Sequence, residues 1–266
     1  MPTSSREERD EKMEAPLSKF QAFGIHLGIS LLVFFVFLYL LFFHWYPGFF
    51  YHTDGGWEGI RIVAGVDLVL GPLLTLIVYK PGKPKLKLDL SIIAAIQIAC
   101  LAVGVSIVYK ERPLAIVFSK NQFYTLNMNY YKAFEVDISS LEKISGPTPK
   151  QVYVEYPTDP TEIAVLEALS FLGGPLYVRT EHYLNYQPHI PNILKEGLSY
   201  AEIKEQRSQD DLNKLEKWKN KHPKLFEIVS FIPVEAKYQN GYIIMRENGE
   251  LIDFININPL ESKQKI

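Results

Sequence analysis

Three apolar runs, Phe23 to Tyr46, Ile60 to Tyr79 and Leu90 to Tyr109, decide most of what this 266-residue chain can fold into. Each is close to the ~20 residues that an α-helix needs to cross a hydrocarbon core of about 30 Å. In lipid every backbone N–H and C=O must be satisfied within the segment, so such runs form helices. Tyr39, Trp45, Tyr46, Trp57, Tyr79 and Tyr109 fall mostly near the run ends, where amphipathic rings sit at headgroup level. A mean hydropathy of −0.01 hides this pattern by averaging an apolar first part with a polar remainder. The net charge of −2 therefore says nothing about partners.

The loops set the orientation. The connection Lys80 to Asp89 carries Lys80, Lys83, Lys85 and Lys87, whereas Pro47 to Gly59 has no Lys or Arg. Short basic loops stay on the cytoplasmic side. The expected layout is a cytoplasmic tail (1–22), a three-helix transmembrane domain (23–110) and a domain on the outer side (111–266), which in a Gram-negative cell is the periplasm. The tail agrees weakly, since Arg6, Arg9, Lys12 and Lys19 are mixed with five acids. The first run is read as an uncleaved anchor: it exceeds the apolar core of a signal peptide, and Phe43 to Pro47 offers no small-residue cleavage site. A leader with Gly before an apolar helix and Glu at the fifth mature position is not expected either, since counted from Gly24 that position is Ile29.

The exported part reads as α+β. Leu114–Phe118 and Val152–Tyr156 are β-branched and aromatic, as strands require. Asp159-Pro160-Thr161-Glu162 combines a capping carboxylate, Pro at the first helical position and Glu in the first turn, which predicts a helix to about Leu172 stopped by Gly173-Gly174-Pro175. A longer helix is expected from about Ser199 to Lys221, burying Ile203, Leu212, Leu215 and Trp218. Asn240-Gly241 and Asn248-Gly249 bracket Tyr242–Glu247, and Asn-Gly between strand-like runs is a strong hairpin signal. Phe231–Gln239, Tyr242–Glu247 and Glu250–Ile257 should form an antiparallel meander in a mostly antiparallel sheet, with helices on one face.

Signals for catalysis are absent. His182 and His189 lack metal-ligand spacing and a nearby Cys, so no metal or cofactor is expected and both read as loop residues. No nucleophile elbow, phosphate-cradling loop or paired thiol motif occurs, and the lone Cys100 lies within the third run, leaving no intrachain disulfide. The basic stretch Lys214–Lys224 is interrupted by Glu216 and reads as a solvated helix face, not a nucleic-acid surface.

Asp67 stands apart, as a carboxylate inside the second run. Such a group costs roughly 2.5–3.5 kcal/mol on insertion scales, so it faces protein or water and is a functional-site candidate. It lies about 10 Å below the outer end at 1.5 Å per residue, level with Tyr39 on the first run and with Gly104 or Ser106 on the third. A hydrogen bond from Tyr39 or Ser106 would satisfy it. The simplest role is a packing contact; binding of a partner helix is a second, and proton or ion transfer a third, disfavoured because three spans with one acid make a poor pathway. Gly71-Pro72 can kink the helix, and Gly65 and Gly71 permit close approach of another helix.

The stretch from Gly65 to Leu76, followed by Tyr79-Lys80-Pro81-Gly82-Lys83, Asp89, Gln97 and Arg112-Pro113, resembles the TfpX/TfpZ group of type IV pilin accessory proteins. The likeness spans about Trp57 to Phe118 and touches Asn248-Gly249-Glu250 more weakly; Lys120 to Lys221 carries no matching motif. The resemblance implies an inner-membrane protein that helps a major pilin accumulate or assemble, in a family for which no catalytic site is defined. Its expected partners are that pilin, membrane lipids and other pilus assembly components. Asp67, Gly65, Gly71, Pro72, Tyr39 and Gln97 are the candidate packing or partner-binding residues. A membrane-bound transferase acting on pilin or lipid is the alternative, and a polar, multi-carboxylate pocket at the membrane surface would be its sign. A sensor is disfavoured by the short cytoplasmic segments.

Overall fold

The computed structural model of the chain describes residues 17–205 and 207–259. Most of the expected tail, residues 1–22, lies outside them. Among the described residues, three helices are long and apolar enough to cross a membrane: Lys19–Trp45, Gly56–Val78 and Leu86–Glu111. The first comprises α1 (Lys19–Leu40) and a π-helical turn, Leu41–Trp45; a short helix α2 (Phe50–Thr53) follows. The second joins α3 (Gly56–Ala64), a π-helical segment Gly65–Leu70 and α4 (Gly71–Val78). The third is α5 (Leu86–Glu111). The second and third helices begin four residues before the apolar runs do, so Glu58 enters the first turn of the second. Hydrogen-bonded helix continues where flanking polar side chains reach the headgroup layer, and it ends where backbone geometry breaks it, as at Gly82 and Lys85, both with positive φ.

Pro72 accounts for the π segment. Its ring has no N–H and excludes the carbonyl four residues back, so the turn before it widens. The Gly71 N–H accordingly reaches the carbonyl of Val66, five residues earlier.

The chain divides into two compact units, residues 1–38 with 60–105, and residues 39–59 with 106–266. The second is built on a seven-stranded mixed sheet of β1 (Pro113–Ser119), β2 (Gln122–Asn127), β3 (Lys150–Val154), β4 (Leu184–Asn185), β5 (Val229–Glu235), β6 (Gly241–Arg246) and β7 (Leu251–Ile255). Their spatial order is β4-β3-β1-β2-β5-β6-β7. Pairs β1/β3 and β2/β5 are parallel, and β5-β6-β7 is the antiparallel meander. The expectation of helices on one face only is corrected. Every residue of β1 is buried, because apolar side chains cover both faces. On one, Val117, Val152 and Val154 pack with Tyr131, Leu141 and Val178, and Phe231, Ile244 and Ile255 pack with Ile203, Leu215 and Trp218. On the other, Phe118 and Phe123 meet edge-on and Tyr186 hydrogen-bonds the Gly249 carbonyl at 2.9 Å.

The connecting helices are α6 (Met128–Ala133), α7 (Pro160–Gly173), α8 (Ile190–Lys195), α9 (Tyr200–Lys204) and α10 (Gln209–Lys221). Asp159 caps α7 as its sequence suggests, accepting from the N–H groups of Thr161 and Glu162, and Gly174 takes positive φ at its end. The single helix expected from Ser199 to Lys221 is instead α9 and α10. Ser199 and Ser208 each cap a helix, and a second N-cap starts a new one in place of prolonging the first. Ile203, Leu215 and Trp218 are buried all the same. The hairpins also differ. Asn240-Gly241 is no two-residue turn, since Val234 pairs with Gly241 and residues 235–240 bridge the strands. At Asn248-Gly249 the Gly249 N–H bonds the Arg246 carbonyl and the ladder shifts register, so Gly249, at φ +88°, is the bulge residue of a longer loop, not half of a type I′ turn.

The segment between the first two helices belongs to this unit and docks on the sheet. The Tyr238 N–H bonds the Thr53 carbonyl at 2.9 Å, and Thr125 Oγ1 donates to Asp54 Oδ1 at 2.6 Å while Thr53 Oγ1 donates to Oδ2 at 2.7 Å. Burial pushes the Asp54 carboxyl up to about 6, against the two threonine hydrogen bonds and the nearby Lys237, which lower it.

Candidate functional site

Within the first unit, all three helices contribute to one polar cluster at the depth of Asp67. His26 and Ser30 lie four residues apart on α1 and share a face; Asp67 sits in the π segment and Thr75 on α4; Gln97 comes from α5. Gln97 Nε2 donates to Asp67 Oδ1 at 2.5 Å, and Ser30 Oγ donates to the same oxygen at 3.2 Å. His26 Nε2 lies 2.8 Å from Gln97 Oε1, and His26 Nδ1 lies 2.5 Å from Thr75 Oγ1. A carboxylate only accepts, so the Gln97 nitrogen must face it and its carbonyl must face His26, which donates through Nε2. In the neutral ring Nδ1 then accepts from Thr75. The five side chains form one directed chain, Thr75 to His26 to Gln97 to Asp67, with Ser30 joining at the acid. Hydrogen bonds between membrane helices contribute about 0.6 kcal/mol on average and at most about 1.7, so the cluster fixes register more than it supplies bulk stability.

One acceptor is left over. Asp67 is 3% exposed, and its Oδ2 has no hydrogen-bond partner among the described residues. The acid lines a cavity of about 440 Å³ whose wall is otherwise mainly apolar, with Ile25, Ile29 and Val33 on α1 and Ala94, Ile98 and Leu101 on α5. Ile29 and Ile98 are 59% and 67% exposed, so this wall continues to the outside of the helix group.

The candidate residues fall into two groups. Asp67, Gln97 and Gly71 come together: a Cβ on Gly71 would run into the Gln97 amide, so this glycine lets Gln97 lie flat across the second helix. Pro72 is buried beside them and shapes the π turn that carries Asp67. Gly65 faces open space and makes no close approach within the described chain. Tyr39 does not satisfy the carboxylate; it is 56% exposed, with its ring on Phe43 and His44. The partners are Ser30 and Gln97, because the π turn rotates Asp67 toward α1 and α5. His26, Ser30 and Thr75 were legible as polar residues inside apolar runs, His26 and Ser30 at an i, i+4 spacing, but no motif marked them.

Elsewhere, a second cavity of about 410 Å³ in the other unit is lined by Glu135, Asp137, Ser140, Thr180 and Glu181. Asp137 is engaged there as a turn residue, accepting from the Ser139 N–H at 2.9 Å and the Ser139 hydroxyl at 2.6 Å. His189 stacks on Tyr153 with centroids 4.1 Å apart. Among the described residues no group of three or more His, Cys, Asp or Glu side chains is placed to hold a metal ion.

The chain is 36% identical over 107 residues to the fimbrial assembly protein of serogroups C1 and C2 of Dichelobacter nodosus, an alignment covering 39% of this chain and 81% of that protein. Over 107 residues it is also 36% and 35% identical to the fimbrial assembly proteins of serogroups I and E1 of the same organism, covering 41% of each. For these two the match therefore spans less than half of their length. No family model matches the chain. No solved structure matches it.

Proposed function

The chain belongs to the family of fimbrial assembly proteins, and from that premise we propose that it is an inner-membrane accessory protein of the TfpX/TfpZ kind for a type IV pilin. It binds the pilin and supports its accumulation and assembly into pili, without making or breaking bonds. A pilin awaiting assembly has one apolar anchor helix in the membrane and a globular head outside the cytoplasm. A helper needs a membrane face for the first and a folded domain for the second. The observation that carries the reading is a lateral, mainly apolar cavity in the helical unit of a chain that also holds a folded α+β domain. On that domain Val165 and Leu169 of α7 are 53% and 42% exposed. The lysines of 80–87 favour a cytoplasmic position for that loop, and so a periplasmic α+β domain. Lipids and other assembly components are further partners in this scheme.

Site-specific crosslinking in cells tests it, from the second helix and from the α+β domain. Capture of the pilin supports the binding role. Capture of lipid-linked sugar machinery alone would support the transferase alternative, whose pocket would be the one lined by Glu135 and Glu181.

A further inference from the structure

Resting on the binding role above, we propose that the lateral cavity receives the apolar anchor helix of the client, and that this helix presents one hydrogen-bond donor side chain to Asp67 Oδ2. Three observations converge on it. First, the acid is buried and half satisfied: Oδ1 accepts from both Gln97 and Ser30, whereas Oδ2 has no partner among the described residues. A buried acceptor left unpaired is costly, and a donor arriving from outside removes that cost.

Second, depth decides between lipid and protein. Asp67 is the central residue of Gly56–Val78, about 16 Å along the helix from either end. Phospholipid chains offer only methylene and methyl groups at that depth, so they fill the apolar wall and leave Oδ2 bare. A transmembrane helix can place a hydroxyl, an amide or another donor at any level. Third, the walls are shaped for a helix. Ile25, Ile29 and Val33 repeat at four residues on α1, and Ala94, Ile98 and Leu101 repeat at four and three on α5. Such rows are the ridges that interdigitate with a neighbouring helix, and Ala94 is small enough to admit close approach.

The test co-expresses the full chain with its pilin and places a photo-crosslinking amino acid at Ile29 or Ile98. A pilin adduct is expected at both. Asp67→Ala should cut its yield by about fivefold or more, while Asp67→Asn, which still carries an acceptor oxygen, stays within about twofold of the parent. Replacing the donor-bearing residues of the pilin anchor helix by alanine, one at a time, should identify one with the same loss, and combining it with Asp67→Ala should add nothing. If Asp67→Ala lowers the amount of the chain itself, Ala94→Trp provides the second variant, filling the groove while leaving the polar cluster in place, and should abolish the adduct from Ile98. Adducts with lipid only, adducts with a second copy only, or a yield indifferent to Asp67→Ala and to every pilin donor would overturn the proposal. A crosslinker at Val165 separates the two levels. Pilin captured from Val165 but not from the cavity leaves the binding role standing and removes this one; capture from neither removes both.

Discussion

Asp67 is tolerable in an apolar helix because Ser30 and Gln97 donate to it, and Gln97 in turn depends on further residues. Gln97 can reach the acid only across Gly71, and its orientation is held by His26, itself oriented by Thr75. Gly71→Ala should therefore act like Gln97→Ala. Each should lower the thermal stability of the detergent-purified chain by about 0.6–1.7 kcal/mol, the range for hydrogen bonds between membrane helices, and the double variant should be no worse than either single one. Additive losses would show that the two residues act separately. At Asp67 itself, Asn should preserve most surface piliation in a deletion strain and Leu should preserve much less, with the abundance of each variant measured alongside. The asparagine is accommodated because the relay can reverse: Gln97 turns its carbonyl to the Asn nitrogen, His26 switches tautomer, and Thr75 donates to the Gly71 carbonyl, from which it already lies 3.2 Å. Loss of pili in both variants at normal abundance would mean that the ionised carboxylate is required.

Elements carry the next layer. The β6–β7 connection needs a residue of positive φ at Gly249, and a Cβ there would also strike the Ile190 side chain. Gly249→Val should reduce the protease-resistant fraction of the α+β domain, since a β-branched residue resists that conformation and Ile190 on α8 must move. Unchanged resistance would place the bulge elsewhere. The docked segment around α2 adds a pH dependence. The Asp54 carboxyl, at about 6 against an ordinary 3.8, holds its proton more tightly in the folded chain than in the unfolded one. Unfolding then releases a proton between those values, so this contribution to stability is greatest at or below about pH 4 and falls as the pH rises through 6. Asp54→Asn should gain stability relative to the parent between pH 4.5 and 7.5 in thermal melts, whereas parallel curves would show that the carboxyl titrates normally.

A client held by its anchor in the membrane and by its head outside the cytoplasm requires the α+β domain to be periplasmic. Reporter fusions after Lys87 should read as cytoplasmic and fusions after Lys150 as periplasmic. A cytoplasmic signal at Lys150 would put the α+β domain on the wrong side for a pilin head. The second compact unit reaches back to include residues 39–59, so a fusion placed within Pro47–Gly59 would disturb the packing of Thr53 and Asp54 and is a poor reporter site.

Composition and periodicity determined the three membrane-capable helices, the strands around Leu114 and Val152, the capped start of α7 and the C-terminal meander, because each follows from local preference: apolar length, β-branched runs, a capping carboxylate. The sequence by itself also singled out Asp67, since one buried charge is conspicuous in apolar surroundings. Tertiary structure decided the rest. Which distant residues cover the continuous apolar run of β1 was decided by packing, with Tyr131, Leu141 and Val178 on one face and Phe123 on the other. The partners of Asp67 were out of reach for the same reason. A π turn forced by Pro72 rotates the acid away from where a regular helix would aim it, and the residues that meet it, Ser30 and Gln97, are separated from it by 37 and 30 positions.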